Sequence, residues 1–395
     1  MAKERIGLMG GAFNPIHERH LAIAACALAE ARLSRIIFLP TGNPPHKREG
    51  LADAEHRFEM TRLATLGEPR FAVSRIELDR TGVIYTVDTL QLLRQQLPDA
   101  DFFYIIGEDT LLDLPHWRTP DRVFELCAFL VCRRSTWDAS DHPTVEELVA
   151  RGAKLQYLSL PPLDVSATDI RKRLAAGETP PEVPPQVMEY IRIMGLYGVP
   201  ARPEGAAEMY PRLRLALSDR RLLHSLLVAA TARDLARIHG QDQDACELAG
   251  LMHDCAKCMP LQTLQRIARD RRLLLDKETL ANENLLHGPV GAEIAENEYG
   301  VCSPNILSAI RCHTTGRVGM LPTDMILFLA DKIEPSRRSY PGLEEVRALA
   351  GQSLVEATLR SMRSTRQYVS RQKAPLHPMT QRVITWLERL PQTKS

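Results

Sequence analysis

The first half of the chain alternates short apolar runs with longer segments of helical periodicity. The strand-like runs are RIGLMGG, SRIIFLPTG, FAVSRIEL, FFYIIG, FLVCRR and LQYLSL. Several are apolar throughout, which is typical of parallel strands buried on both faces. The helical segments between them are HLAIAACALAEARL, AEHRFEMTRLATL, TVDTLQLLRQQL and VEELVARG. This alternation predicts a doubly wound α/β domain, whose ligands bind at the carboxyl ends of the strands.

The pattern changes near Gly198. The stretch GVPARPEGAAEMYP is rich in Pro, Gly and Ala and lacks a clear period, which is typical of a linker. Six helical segments and almost no strand pattern follow: RLLHSLLVAATARDLARIHG, ACELAGLMHDCAK, GPVGAEIAENEYG, NILSAIRCHTTG, DMILFLADKIEP and LEEVRALAGQSLVEATLRSM. Because 395 residues exceed one ordinary core, we predict an α/β domain at 1–198, a linker at 199–208 and an all-α domain at 209–395.

The charge balance gives no general case for a polyanionic partner. Lys and Arg number 50 against 49 Asp and Glu, so we expect no binding to nucleic acid or to an anionic membrane surface. The N-terminus lacks a signal-peptide pattern, and no stretch approaches the roughly 18 apolar residues of a membrane span. Eight scattered cysteines predict free thiols in a reducing, cytoplasmic compartment, with Cys255 and Cys258 as an incidental pair. The sequence leaves the oligomeric state open, a homo-oligomer included.

The stretch GLMGGAFNPIHERH joins the first strand to the first helix. Gly10 and Gly11 leave room for a phosphate to approach the backbone, and the N–H groups of a helix start favour anions. His17 and His20 can then donate hydrogen bonds to phosphoryl oxygens. Two other interpretations stay open. Both histidines can be helix-start residues bonded locally, or they can bind a metal, for which this segment supplies no third or fourth ligand.

This stretch resembles the hallmark GxFxPxHxxH motif of the adenylyltransferase superfamily. The matching residues are Gly11, Phe13, Pro15, His17 and His20. A second hallmark, ISSTxIR, is approximated by Ser166, Thr168, Ile170 and Arg171, with Ala167 in place of one hydroxyl residue. The resemblance implies a Rossmann-like nucleotidylyltransferase fold with ATP phosphates between the histidines and the second motif. A Ser or Thr helix cap, free N–H groups and an Arg side chain suit phosphate on physical grounds as well.

Within the superfamily the chain looks most like the bacterial nicotinate mononucleotide adenylyltransferases. The family's PPHK and GxD…W patterns are matched by Pro44, Pro45, His46, Lys47, Gly107, Asp109 and Trp117. The resemblance implies that Trp117 stacks on the nicotinate ring and that Thr86 recognises its carboxylate, while Lys47 and Asp109 line the nucleotide site. Taken singly, Trp117 is more often a core aromatic and Lys47 a solvated loop residue. Arg19 departs from the family, which usually has Gly before the second histidine.

The resemblance also implies a reaction. The phosphate of nicotinate mononucleotide attacks the α-phosphorus of ATP, which gives nicotinate adenine dinucleotide and pyrophosphate without a protein nucleophile. Positioning and charge neutralisation by His17, His20, Arg171 and Mg²⁺ then supply the catalysis. An alternative is transfer of AMP to another phosphate acceptor, such as phosphopantetheine. The YTVDTL stretch and Trp117 argue against that acceptor.

The helical half contains a set of histidines and aspartates at helix ends or on apolar faces. They are His224, His253, Asp254, His287, His313 and Asp331. A single histidine on such a face is usually a satisfied core residue. Adjacent residues on a helix diverge by about 100°, so His253 and Asp254 serve one site most easily if the carboxylate is close to the metal or bridges two metals. Mixed nitrogen and oxygen ligands favour Fe, Mn, Co or Zn over Mg or Ca.

These residues resemble the HD superfamily of metal-dependent phosphohydrolases, and within it the symmetrical diadenosine tetraphosphate hydrolases. The resemblance implies an HD-type helical fold in which His224, His253, Asp254 and Asp331 bind one metal, and His287 and His313 complete a second site. Asp254 then bridges two metals, with iron as the expected metal, which activate water for attack on phosphorus and give two ADP. Lys257 and Arg317 are candidates for contact with the phosphates. A solvated helix-end position is about equally compatible with Lys257.

Three other functions remain open for this half. They are another nucleotide phosphohydrolase such as a nucleotidase, a nucleotide-binding regulator without catalysis, and a metal-stabilised structural module. All six ligand positions are filled, which favours catalysis over the last two. The small-molecule partners that the whole sequence predicts are therefore ATP, nicotinate mononucleotide and diadenosine tetraphosphate.

Overall fold

The computed structural model describes residues 3–42, 50–133, 142–161, 165–373 and 375–390. The chain forms two compact units. The first comprises Met1–Met188 with Leu196–Val199, and the second comprises Glu189–Gly195 with Pro200–Ser395.

The first unit contains one six-stranded sheet. Its strands are β1 (Glu4–Gly11), β2 (Arg35–Pro40), β3 (Phe71–Val73), β4 (Ala100–Gly107), β5 (Cys127–Cys132) and β6 (Leu155–Leu158). All neighbouring strands pair in parallel, in the order β3-β2-β1-β4-β5-β6. The order reverses between β1 and β4, which is the switch point where doubly wound sheets bind ligands. The predicted α/β fold is confirmed.

The helices of this unit are α1 (Glu18–Glu30), α2 (Ala54–Thr65), α3 (Thr86–Gln96), α4 (Glu108–Asp113), α5 (Pro120–Leu126), α6 (Pro143–Ala150) and α7 (Ala167–Ala175), with a 3₁₀ turn at Leu114–His116. Helix α8 (Pro185–Met194) begins in this unit and ends in the second. Apolar strand residues such as Ile6, Leu8 and Phe129 are fully buried, as the uniformly apolar runs predict. Strand β3 is shorter than its predicted run, because the chain leaves the sheet after Val73 and turns towards α3.

The second unit is all-α, as predicted. Its further helices are α9 (Ala206–Ala216), α10 (Asp219–Ile238), α11 (Gln243–Met252), α12 (Leu261–Asp270), α13 (Lys277–Leu280), α14 (Glu283–Asn297), α15 (Pro304–Cys312), α16 (Pro322–Ile333), α17 (Leu343–Ala350), α18 (Leu354–Arg371) and α19 (Pro378–Leu387). The last helical segment of the sequence divides into two helices. The reason is local, since α17 ends at Gly351 and the Ser353 side chain accepts a hydrogen bond from the Glu356 N–H at the start of α18.

A buried ion network lies inside the second unit. The carboxylates of Glu189 and Glu247 are both almost completely buried. Arg233 Nη1 lies 2.6 Å from Glu189 Oε2 and 3.5 Å from Glu247 Oε1, and Arg192 Nη2 lies 3.1 Å from Glu247 Oε2. The network therefore fixes the Glu189–Gly195 segment to α10 and α11, because each buried carboxylate requires a cationic partner.

The eight cysteines all lie within the described residues and form no disulfide bond with one another, and Cys255 is buried whereas Cys258 is exposed. Among the described residues, every helix is too short or too polar to cross a bilayer.

Candidate active sites

The first unit contains a cavity of roughly 900 Å³ at the carboxyl ends of β1 and β4. Ten of the sequence-predicted residues line it, namely Gly10, Gly11, Phe13, His17, His20, Thr86, Gly107, Trp117, Ser166 and Arg171. Asp109 and Thr168 do not line the cavity, and Lys47 falls outside the described residues. The fold thus brings residues from distant parts of the sequence to the switch point of the sheet.

His17 is the N-cap residue of α1, and His20 lies in the first turn of that helix. The backbone N–H of His17 donates to Nδ1 of His20 at 3.3 Å, so the proton of a neutral His20 ring lies on Nε2. The two ring centroids are 3.8 Å apart. His17 is only 4% exposed; burial, together with the nearby charge of Arg19, lowers its pKa to about 4. His17 is therefore neutral at pH 7.

Arg171 is fixed against the loop that follows β1. Its Nη1 donates to the carbonyl oxygen of Asn14 at 2.8 Å, and its Nη2 donates to Thr168 Oγ1 at 3.2 Å. The Asn14 side chain is itself held, because Oδ1 accepts from Ala52 N and from the Tyr197 hydroxyl. Thr168 therefore orients Arg171 without lining the cavity. Helix α7 begins directly after Ser166, so its N-terminal N–H groups lie at the cavity edge.

Aromatic residues form another wall of this cavity. The rings of Tyr104 and Trp117 meet edge to face with centroids 6.1 Å apart, and the Thr86 side chain hydrogen-bonds to Tyr104. A Cβ atom on residue 10 would lie 2.2 Å from the Tyr104 hydroxyl oxygen, so this close approach requires Gly10. Burial raises the pKa of the Glu77 carboxyl, which lines the cavity and accepts from Thr89 Oγ1 at 3.0 Å.

The second unit contains two groups of buried ligand atoms that share one carboxylate. One group is His224, His253 and Asp254, and the other is Asp254, His287 and His313. Within each group the ligand atoms lie within 4.8 Å of one another. Helices α10 and α14 carry His224 and His287, while His253 and His313 directly follow α11 and α15.

Backbone carbonyl groups orient three of these histidines. Nδ1 bonds to the carbonyl oxygen of Gly250 in His253 (2.7 Å), of Glu283 in His287 (3.1 Å) and of Ile310 in His313 (2.8 Å). Each Nε2 lone pair therefore faces the centre.

The inward-facing nitrogens fit a metal. Nε2 of His253 is buried and has no hydrogen-bond partner among the described residues. Nε2 of His287 and Nε2 of His313 lie 3.0 Å apart, a spacing at which two lone pairs repel unless a cation or proton intervenes. Buried imidazole nitrogens around a carboxylate are a ligand set that suits transition metals.

Asp331 lies beside the first group. Nε2 of His224 contacts Asp331 Oδ1 at 3.0 Å, and Lys332 Nζ donates to Oδ2 at 2.9 Å. Arg337 also donates to Oδ1. Burial opposes a charge on Asp331, but Lys332, His224 and Arg337 together hold its pKa well below the usual range. The carboxylate is therefore ionised and available as a ligand.

The two predicted phosphate-contact residues differ in their surroundings. Lys257 Nζ donates to Asn284 Oδ1 at 3.1 Å and lies 3.4 Å from Nδ1 of His287, a member of the second buried ligand group. Burial lowers the pKa of Lys257. Arg317 instead pairs with the buried Asp324 at 2.8 Å and donates to Ser308 Oγ. The Arg317 contacts therefore stabilise the start of α16.

Sequence reasoning missed three charged residues at this centre. Arg221 Nη1 donates to Asp254 Oδ2 at 3.0 Å, and Glu334 Oε1 contacts His224 Nδ1 at 3.0 Å. Arg337 is the third, through its bonds to Asp331. Arg221 precedes His224 by three residues on α10, so helical spacing is a signal that identifies it.

Two family descriptions match the chain. Residues 8–173 match the family described as cytidylyltransferase-like, and residues 221–336 match the HD domain family. A Thermomicrobium roseum protein named "Probable nicotinate-nucleotide adenylyltransferase" is 40% identical over 195 residues, which cover 49% of this chain and 91% of that protein.

A Mycoplasma genitalium protein is similar across both halves. It is named "Probable nicotinate-nucleotide adenylyltransferase/Ap4A hydrolase" and is 29% identical over 340 residues, which cover 85% of this chain and 89% of that protein. Among solved structures, a "predicted HD superfamily hydrolase involved in NAD metabolism" from Clostridium acetobutylicum is 35% identical. It covers 46% of this chain and 96% of its own, with a TM-score of 0.45.

Proposed function

Because the chain belongs to the nicotinate-nucleotide adenylyltransferase family and also carries an HD domain, we propose that it is a bifunctional enzyme of dinucleotide metabolism. The N-terminal half transfers AMP from ATP to nicotinate mononucleotide, which gives nicotinate adenine dinucleotide and pyrophosphate. The C-terminal half hydrolyses diadenosine tetraphosphate symmetrically to two ADP. We assign the first activity to 1–198 and the second to 209–395, with 199–208 as the linker.

One observation carries the transferase assignment. His17, His20 and Arg171 line the same cavity as Gly10 and Gly11, the last two residues of β1, at the switch point of the sheet. The two glycines leave space for the triphosphate, and the N-termini of α1 and α7 supply N–H donors. Arg171 presents a planar donor group, and His20 presents Nε2–H. Mg²⁺ that arrives with ATP supplies further charge neutralisation.

The protein residues in this reaction position and stabilise rather than attack. Neutral His17, together with His20, hydrogen-bonds the phosphoryl oxygens as charge shifts to the leaving pyrophosphate. The mononucleotide phosphate is itself the nucleophile, so holding it in line with the α-phosphorus is the main requirement. Lys47 and Asp109 are further proposed contacts of the nucleotide.

Trp117 and Thr86 support nicotinate mononucleotide as the acceptor in this half. An aromatic ring stacks on a pyridine ring, and a hydroxyl at the start of α3 suits a carboxylate. The purified protein is assayed with MgATP and one acceptor at a time: nicotinate mononucleotide, nicotinamide mononucleotide or phosphopantetheine. Trp117→Ala is expected to raise the KM for the mononucleotide by about tenfold, the loss of one good stacking contact. Transfer to phosphopantetheine alone overturns the assignment.

One observation carries the hydrolase assignment as well. Asp254 belongs to both buried ligand groups, so this carboxylate would be shared if each group held a metal ion. We propose iron, with Mn, Co or Zn as alternatives, bound by His224, His253, Asp254, His287, His313 and Asp331. Such metals lower the pKa of bound water and neutralise phosphoryl charge. The protein orients the ligands through the Gly250, Glu283 and Ile310 carbonyls, while Lys257 and Arg317 are proposed phosphate contacts.

The test of this half separates products by anion exchange. Protein supplied with iron or manganese is incubated with diadenosine tetraphosphate, beside Asp254→Ala and an Asp244→Ala control. Asp244 is a partly exposed aspartate that pairs with Arg202. Two ADP per substrate, lost only in Asp254→Ala, is the expected result. AMP plus ATP overturns the symmetrical cleavage, and no turnover with metal bound favours a different phosphorylated substrate or a regulatory role.

A further inference from the structure

Arg57 is a buried cation behind the nucleotide cavity. It lies on α2, its side chain is fully buried, and it is among the largest fully buried side chains of the chain. Among the described residues no carboxylate forms an ion pair with it, and its hydrogen bonds all go to carbonyl or hydroxyl oxygens. A buried charge without a carboxylate partner is costly, and proteins rarely keep one without compensation.

The four hydrogen bonds of Arg57 reach three separate segments. Nη1 donates to the Ala12 carbonyl at 2.8 Å and to Thr41 Oγ1 at 3.3 Å. Nη2 donates to the Gly42 carbonyl at 3.1 Å, and Nε donates to the Ala52 carbonyl at 3.0 Å. One guanidinium therefore ties together the loop after β1, the end of β2 and the approach to α2.

Two of these partners belong to the cavity wall. Ala12 and Thr41 line the cavity, and Ala12 lies between Gly11 at the end of β1 and Asn14, whose carbonyl accepts from Arg171. Arg57 and Arg171, which lie far apart in the sequence, thus both bind backbone carbonyls of the loop that follows β1. The conformation of this loop, which faces the proposed phosphate site, therefore depends on both arginines.

The charge of Arg57 acts as well as its hydrogen bonds. Burial lowers the pKa of Arg57, and the charges of Tyr197 and Asp53 oppose this effect. A guanidinium nevertheless stays protonated in proteins. In a low-dielectric wall a fixed positive charge is poorly screened, so it attracts an anion in the neighbouring cavity more strongly than an exposed charge does.

We propose that Arg57 is a positioning residue of adenylyl transfer, which fixes the phosphate-facing loop and supplies buried positive charge to the triphosphate of ATP. The proposal rests on the transferase function proposed above. It assigns Arg57 no contact with substrate. The acceptor subsite at Thr86 and Trp117 is lined by other segments, so the effect concerns ATP more than the mononucleotide.

Arg94 is a matched control in the same unit. Its guanidinium also bonds backbone carbonyls, those of Pro98, Ala100 and Leu126. None of these residues lines the cavity. A purely structural role for Arg57 therefore predicts equal kinetic consequences for substitution at 57 and at 94.

The experiment compares Arg57→Gln and Arg57→Lys with Arg94→Gln and Arg94→Lys, all in the full chain. Glutamine keeps some donors but removes the charge, whereas lysine keeps the charge but loses the planar donor group. The kcat and the KM for ATP and for nicotinate mononucleotide are measured, with MgATP binding by calorimetry and Tm as the stability reference. Arg57→Gln is expected to weaken ATP binding by about tenfold or more, the effect of one lost charge-assisted interaction.

The other variants separate charge from geometry. Arg57→Lys is expected to keep ATP binding within about threefold but to lower kcat by about tenfold, because the loop loses its forked hydrogen bonds. Mononucleotide KM changes little in either variant, and both Arg94 variants retain the wild-type ATP parameters. Equal changes at 57 and 94 for a matched loss of Tm overturn the proposal. If Arg57→Gln does not fold, unchanged kcat in Arg57→Lys overturns it equally.

A wild-type result distinguishes this proposal from the function on which it rests. If the wild type binds MgATP but forms no dinucleotide from nicotinate mononucleotide, the proposed acceptor is wrong. The calorimetric comparison of Arg57 and Arg94 variants then still tests whether the buried charge serves ATP.

Discussion

The burial of His17 makes the stability of the first unit depend on pH. Burial holds the folded-state pKa at about 4, whereas an unfolded histidine titrates near 6.5. Between these two pKa values, His17 is protonated in the unfolded chain but not in the folded chain. The His17 contribution to stability is therefore complete above pH 6.5. It is lost as the pH falls from 6.5 towards 4. One pKa unit corresponds to about 1.4 kcal/mol, and the loss between pH 7 and pH 5 is about 2 kcal/mol.

The measurement compares the wild type with His17→Asn, which removes the titrating ring. Trp386→Phe in both proteins leaves Trp117 and Trp137 as the fluorescence probes, and both lie in the first half of the sequence. Urea unfolding is followed at several values between pH 7 and pH 5. Between pH 7 and pH 5, the free energy of unfolding of the wild type is expected to fall by about 2 kcal/mol more than that of His17→Asn. A shift below ~0.5 kcal/mol refutes the burial argument, because a ring that takes a proton freely when folded produces no shift.

Three further outcomes concern the metal centre. Asp254→Asn is expected to reduce bound metal from two ions to at most one per chain, by elemental analysis, because both ligand groups share this carboxylate; two retained ions contradict the shared ligand. Glu334→Gln weakens the hydrogen bond that orients His224. It is expected to lower metal affinity by about 10–100-fold in a chelator competition, and unchanged affinity would mean that Glu334 does not orient His224. Chelator treatment followed by Mg²⁺ alone is expected to abolish diadenosine tetraphosphate hydrolysis and leave dinucleotide synthesis intact, whereas loss of both contradicts separate metal requirements.

The sheet and the ligand cluster were predictable because their signals are local. Apolar runs predict buried parallel strands, and an adjacent His–Asp pair at the end of an apolar helical segment is recognisable from the sequence itself. The helix break at Gly351 was missed, although Gly followed by a Ser two residues later is a recognisable stop and start. Continuous helical periodicity on both sides of the break concealed it.

Arg57 and Arg337 could not be predicted in the same way. The partners of Arg57 lie at 12, 41, 42 and 52, and three of the four are backbone carbonyls, which every residue type supplies. Hydrogen bonds to backbone carbonyls therefore cannot be predicted from a sequence motif. Arg337 reaches Asp331 across the end of α16, where the chain leaves the helix and helical spacing no longer applies. The roles of Lys257 and Arg317 stay predictions, although the pairing of Arg317 with Asp324 gives that side chain a structural task as well.

The Glu189–Glu247 ion network has a consequence for the inheritance of the two activities. The residues at 189–195 precede the Pro-rich stretch, yet their charges are neutralised within the helical unit. A gene cut inside that stretch would leave Glu247 buried with Arg233 as its remaining partner, and would separate Glu189 from Arg233, with which it pairs at 2.6 Å. Gene fission or the exchange of halves between species therefore carries a solubility penalty unless the recipient restores those charges. Lineages that acquired the fused form are expected to keep it.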